Sequence, residues 1–123
     1  MITLTIGGSL VGLNEYTKAN RTNMHVGANM KKQTETMITS FIRQQLHGVE
    51  TIDRCTIRFV WVEKDRRRDL DNIAFAKKFI LDALVKNGIL KGDGWSCVTG
   101  FSDSFRVDKE RPRIEVYIEE EVE

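Results

Sequence analysis

The chain has 123 residues, 41% of them hydrophobic and 30% charged, with a single proline, Pro112, and two cysteines. That length suits one domain with a real hydrophobic core, the composition is unlike a disordered or fibrous chain, and no stretch approaches the roughly 20 apolar residues of a membrane span. Net charge is +1, but residues 115–123 hold five Glu and no Lys or Arg, so residues 1–114 carry 19 basic against 13 acidic side chains, a net +6; such a basic body is compatible with nucleic-acid binding over one face without demanding it.

The opening ITLTI (2–6) alternates apolar and hydroxyl side chains, the period of a half-buried strand, and Gly7 and Gly8 end it. Met1 to Ile6 is too short and uncharged for a signal peptide, so a cytoplasmic protein is expected. Residues 9–27 carry Gly12, Asn14, Asn20, Asn23 and Gly27 among Lys18, Arg21 and His25 without sustained periodicity, and read as a long polar loop. From Ala28 to His47, Met30, Met37, Ile38, Phe41, Ile42 and Leu46 recur at helical spacing, with Gly48 placed as a stop. CTIRFVWV (55–62) is β-branched and aromatic, the composition of a central strand. A second helix is expected over 71–87, because Ile73, Ala76, Ile80, Ala83 and Leu84 share a face at 100° per residue. ILKGDGW (89–95) reads as a tight connection, 96–107 as a strand interrupted by Gly100, 108–112 as a turn, and RIEVYIEE (113–120) as a cleanly alternating strand. The order β-α-β-α-β-β predicts an α+β (mixed α/β) fold, a mixed sheet with two helices packed on it. Cys55 and Cys97 show neither CxxC spacing nor, with His25 and His47, zinc-finger spacing, and are expected to be buried free thiols.

The stretch DRRRDLDN (65–72) places three arginines beside paired carboxylates. Asp69 and Asp71 converge only if the chain is still extended or turning there, since in a continuous helix they would point about 200° apart. Capping the following helix would explain one of them. Asp93, framed by Gly92 and Gly94, is a third carboxylate that capping does not explain. Three such groups at one point would require a cation, and oxygen ligands without Cys or His suit Mg²⁺ or Mn²⁺. The arginines would then serve as phosphate clamps. An EF-hand is excluded because Ile73 stands at the third ligand position, and the Arg run favours a phosphate substrate over the neutral sugar of a two-carboxylate glycosidase. On a continuous helix Lys78 shares the face of Asp71 and could reach a phosphate held there, or it simply pairs with Asp82 at i,i+4. Lys77 points elsewhere. Phe75 falls on the polar face, suited to a subunit contact or to bases.

RRRDLDN, the helix containing KFILDAL, and the later NGILKGD resemble the RusA family of Holliday junction resolvases, with HVGA (25–28) and the element order in weaker support. The resemblance implies a single RusA-like nuclease domain over 1–123. It further implies a homodimeric, Mg²⁺-dependent endonuclease that nicks four-way DNA junctions symmetrically, with Mn²⁺ a possible substitute. Asp69, Asp71 and Asp93 would be the metal carboxylates and Lys78 the essential lysine, with Arg68 and Asn72 supporting the site. Three departures stand out: about three extra residues between DLDN and the lysine, Gly92 in place of one acid of a doublet, and an unrelated segment after the first strand. Arg66, Arg67 and Arg68, with Asn72, Lys18 and Arg21, are the expected DNA-binding residues. Two other readings stay open: a non-catalytic DNA-binding module using the Arg run, and a nuclease for flaps or forks.

Overall fold

The computed structural model describes residues 1–122. Eight elements follow in order: β1 (Ile2–Gly7), α1 (Leu13–Thr22), α2 (Met24–Gln45), β2 (Cys55–Glu63), α3 (Leu70–Ala74), α4 (Lys77–Lys86), β3 (Val98–Val107) and β4 (Arg113–Glu120). The strands form one mixed sheet in the order β1-β4-β2-β3, β2 running parallel to β3 and antiparallel to β4. This is the expected α+β class. Among the described residues no helix is long and apolar enough to cross a membrane.

The composition of β2 follows from its central place. Ile57, Phe59 and Trp61 face the helices, while Val60 and Val62 are buried on the opposite face, so both sides of the strand need apolar residues. β4 is covered on one side only: Ile114, Val116 and Ile118 are buried in the core, and Arg113, Glu115 and Tyr117 lie on the open face. The helical layer closes the core with Ile38 and Ile42 of α2, Leu46 just after it, and Phe79, Ile80, Ala83 and Leu84 of α4. α3 and α4 together form the crossover that parallel β2 and β3 require. Gly48 (φ 79) and Gly88 (φ 73) take the left-handed conformation just past the ends of α2 and α4, as their positions after the periodic runs imply.

Four expectations are corrected. Residues 9–27 are not a long loop: α1 occupies 13–22, and α2 begins at Met24, four residues before the expected Ala28. Asn23 divides the two helices, with its backbone extended and its side chain accepting a 2.7 Å bond from the His25 N–H. The helices cross closely because Gly27 has no side chain; a Cβ there would lie 1.7 Å from Asn20 Oδ1. The second expected helix, 71–87, is two segments broken at Phe75 and Ala76. The third strand starts at Val98, two residues later than expected. Both cysteines are free, but only Cys55 is buried; Cys97 is half-buried. Burial first, then the nearby Cys97, Glu121 and Glu120, push the Cys55 thiol up to about 11.

Candidate active site

The charged stretch leaves the end of β2 and is braced before it turns into α3. Glu63, the last residue of β2, is buried and accepts from Arg68 Nε at 3.0 Å and Nη2 at 2.8 Å. Arg68 Nη1 also donates to the Leu10 carbonyl at 3.0 Å, tying the segment after β1 to the segment after β2. Asn72, buried in α3, accepts the Asn14 N–H at 2.9 Å and so fixes the start of α1. Arg68 and Asn72, both expected to contact DNA, are thus engaged in bonds within the protein.

Asp69 and Asp71 remain exposed. Asp69 occupies the N-cap of α3 with extended backbone, yet its side chain makes no capping bond. Neither carboxylate has a hydrogen bond or ion pair among the described residues. Asp69 lines a cavity of about 300 Å³ with Glu63, Asp65, Arg66, Arg106 and the apolar Leu70, Ile73, Phe105 and Val107. Arg66 is exposed and unpaired among the described residues, while Arg67 lies 3.5 Å from Asp65 and is largely exposed. Lys18 and Arg21 share one face of α1, a helix and not the expected loop, with no ion pair among the described residues. Since Asn14 binds Asn72, and the Tyr16 ring lies tilted with its centroid 5.5 Å from that of Phe75, α1 stands directly beside α3. Its two cations line a groove of their own with Leu13, Asn14 and Thr17.

Lys78 goes another way. Between the two helical segments the Ala76, Lys78 and Phe79 N–H groups bond to carbonyls three residues back, a tighter turn of about 120° per residue. Counting 100° through this break fails. The Lys78 ammonium meets Asp82 Oδ1 at 3.1 Å and Asp93 Oδ2 at 3.7 Å. The hydrogen bond and charge of Asp82 raise its pKa, with a smaller contribution from Asp93. Asp82 also lies 3.9 Å from Lys31 of α2. Asp93 lines a different cavity, with Trp95, Leu81 and Val98 to Phe101, which shares no residue with that of Asp69. Phe101 and Phe105, one in each, are four residues apart on β3, on the order of 13 Å. Among the described residues no group of three His, Cys, Asp or Glu side chains is placed to hold a metal ion. One chain thus joins Lys78 to Asp93 but does not gather Asp93 with Asp69 and Asp71.

Several participants were not anticipated. Glu63 looked like the end of a strand, and its role becomes visible only when Arg68 folds back on it. Asp103 is hidden in a polar-looking strand, yet it accepts from Lys77 Nζ at 2.7 Å and Trp61 Nε1 at 2.8 Å. Lys77 sits 3.8 Å above the Phe101 ring, so it holds α4 to β3. Phe75, placed on the polar face by periodicity, packs edge-on against Phe79 and beside Tyr16.

Residues 13–119 match the model of the family described as Endodeoxyribonuclease RusA. No curated protein matches the chain.

Proposed function

Because the chain belongs to the RusA family, and is thereby an endodeoxyribonuclease of the kind that resolves Holliday junctions, we propose that it cuts four-way DNA junctions as a Mg²⁺-dependent homodimer making paired symmetric nicks. The observation carrying this reading is the pair Asp69 and Asp71, exposed and without a protein partner among the described residues, beside the basic surface of Arg66 and Arg67. The missing capping bond at Asp69 argues against a binding module whose aspartates only start a helix.

The donor chemistry of Asp69, Asp71 and Asp93 fits a hard divalent cation, since all are carboxylates with no thiolate or imidazole among them. Mn²⁺ would be accepted for the same reason. Such an ion, when bound, supplies Lewis acidity and an activated water. As one chain does not bring these three carboxylates together, the reading requires a second copy to complete the set, in keeping with the two nicks that a twofold junction needs. Arg66, Arg67, Lys18 and Arg21 hold backbone phosphates and set the register of the DNA. Lys78, kept protonated by Asp82, offers positive charge to the phosphate as negative charge builds on the leaving oxygen. Arg68 and Asn72 keep the turn in the conformation that presents Asp69 and Asp71.

The test is a labelled four-way junction incubated with protein and Mg²⁺, with forks and flaps in parallel. Symmetric nicks should appear, vanish with EDTA, and fall on the order of 10³-fold in rate for Asp71→Asn. Absence of junction cleavage, or cleavage indifferent to Asp71→Asn, removes the assignment. Stronger cutting of forks or flaps would move the substrate and keep the chemistry.

A further inference from the structure

The two edges of the sheet are treated differently. At β1 the Gln45 side chain accepts from the Thr5 N–H at 2.8 Å and donates to the Thr5 carbonyl at 2.7 Å, so this edge is occupied by the molecule itself. β3 is the longer edge strand, ten residues without proline or lysine. Among the described residues no side chain bonds to the outer backbone groups of 99–107. A long bare edge is a template for another strand.

The ends of this strand are also unlike. Just before it stands Trp95, 99% exposed in a glycine-framed turn. At the far end is the 300 Å³ cavity, whose apolar wall is Leu70, Ile73, Phe105 and Val107, with Leu70 and Val107 themselves 57% and 48% exposed. Arg66 and Arg106 line the same cavity. An apolar wall with guanidinium groups beside it suits an indole ring, which gains both burial and cation–π attraction.

We propose that the β3 edges of two copies pair antiparallel about a twofold axis and that Trp95 of each copy seats in the Leu70–Phe105–Val107 cavity of the other. Antiparallel pairing centred on Ser102 sets Val98 opposite Arg106 of the second copy, which carries Trp95 toward the cavity end of the other strand. The arrangement is isologous, so each element is used twice: one ladder and two indole anchors. Registers that face Asp103 with Asp103 of the second copy are disfavoured by like charge, which favours pairing offset from that residue. The inference rests on the homodimer of the proposed function and names its interface.

Sedimentation equilibrium and tryptophan fluorescence across a dilution series test it. Trp61 is buried and bonded to Asp103, so it gives a constant background, and the emission of Trp95 should shift to the blue as dimer forms. Trp95→Ala, at a fully exposed site, and Val107→Arg, in the cavity, should each weaken dimerisation on the order of 30-fold while circular dichroism is unchanged. A protein monomeric at all concentrations overturns the proposal, as does a dimer indifferent to both substitutions. Trp95 emission that responds to added DNA but not to self-association also overturns it, assigning the indole to base stacking. A dimer of this kind that leaves junctions uncut keeps the interface and loses the activity; a junction-cutting dimer insensitive to both changes does the reverse.

Discussion

A methyl group at position 12 would meet Asn72 Oδ1 at 2.5 Å and Arg68 Nη1 at 2.9 Å. Gly12→Ala should therefore cost about 1–3 kcal/mol in urea unfolding, with junction cleavage falling as well because the displaced groups hold the turn bearing Asp69. On the open face of the sheet Tyr117 donates to Glu115 at 2.6 Å, and Arg113 donates to it at 2.7 Å. The Tyr117 bond first, then Arg113, holds the Glu115 carboxyl below its ordinary 4.5. A depressed folded-state pKa stabilises the protein above pH 4.5, and that stability is lost as pH falls through the lower folded value. Tyr117→Phe should cost about 1 kcal/mol at neutral pH, and the variant should lose less further stability than wild type between neutral and acidic urea titrations. An equal loss in both proteins would show the bond to be irrelevant. At this scale the sequence was partly readable. The pair Asp69 and Asp71 stood out, but Gly12 looked like any loop glycine, because what excludes a side chain there comes from Arg68 and Asn72, far along the chain.

The break between α3 and α4 shows the limit of reading one helix from periodicity. Ile73, Ala76, Ile80 and Ala83 stay buried on both sides of the break, so the apolar pattern survives the short tight turn and does not reveal it. The pattern reports burial and says nothing of where one helical segment ends and the next begins. α1 was missed for a related reason: only Ala19 is buried in it, and its packing depends on Tyr16 against Phe75 and Phe79. That dependence is testable. Phe75→Ala should destabilise by about 2 kcal/mol, less than the roughly 3–5 kcal/mol of a fully buried phenylalanine, and hydrogen exchange should quicken over 13–22 before the sheet is affected. Unchanged exchange in α1 would mean that the Asn14–Asn72 bond alone holds it. The strands were legible apart from the start of β3, since burial on both faces of β2 and on one face of β4 leaves a direct imprint on residue type.

Over the whole molecule, a near-neutral total conceals local imbalance. Elsewhere acidic side chains neutralise cations directly, as Glu35 does Lys86 at 2.6 Å and Glu115 does Arg113 at 2.7 Å. Around the start of α3, Arg66, Lys18 and Arg21 have no ion pair among the described residues, and Arg67 is only loosely held by Asp65. Arg66 and Arg67 belong to the same exposed segment as Asp69 and Asp71. Junction affinity should fall linearly on a log–log plot against salt, and replacing Arg66 and Arg67 with Ala should flatten the slope by about two, near 0.9 for each phosphate no longer neutralised. An unchanged slope would place the DNA on another face. The Gln45 clasp on Thr5 bears on the molecule at the same scale. With one margin of the sheet sealed by its own side chain, recruitment of strands can proceed in a single direction and must halt at two subunits. Gln45→Ala reopens the second margin, and slow filament growth seen by light scattering is what that variant should display.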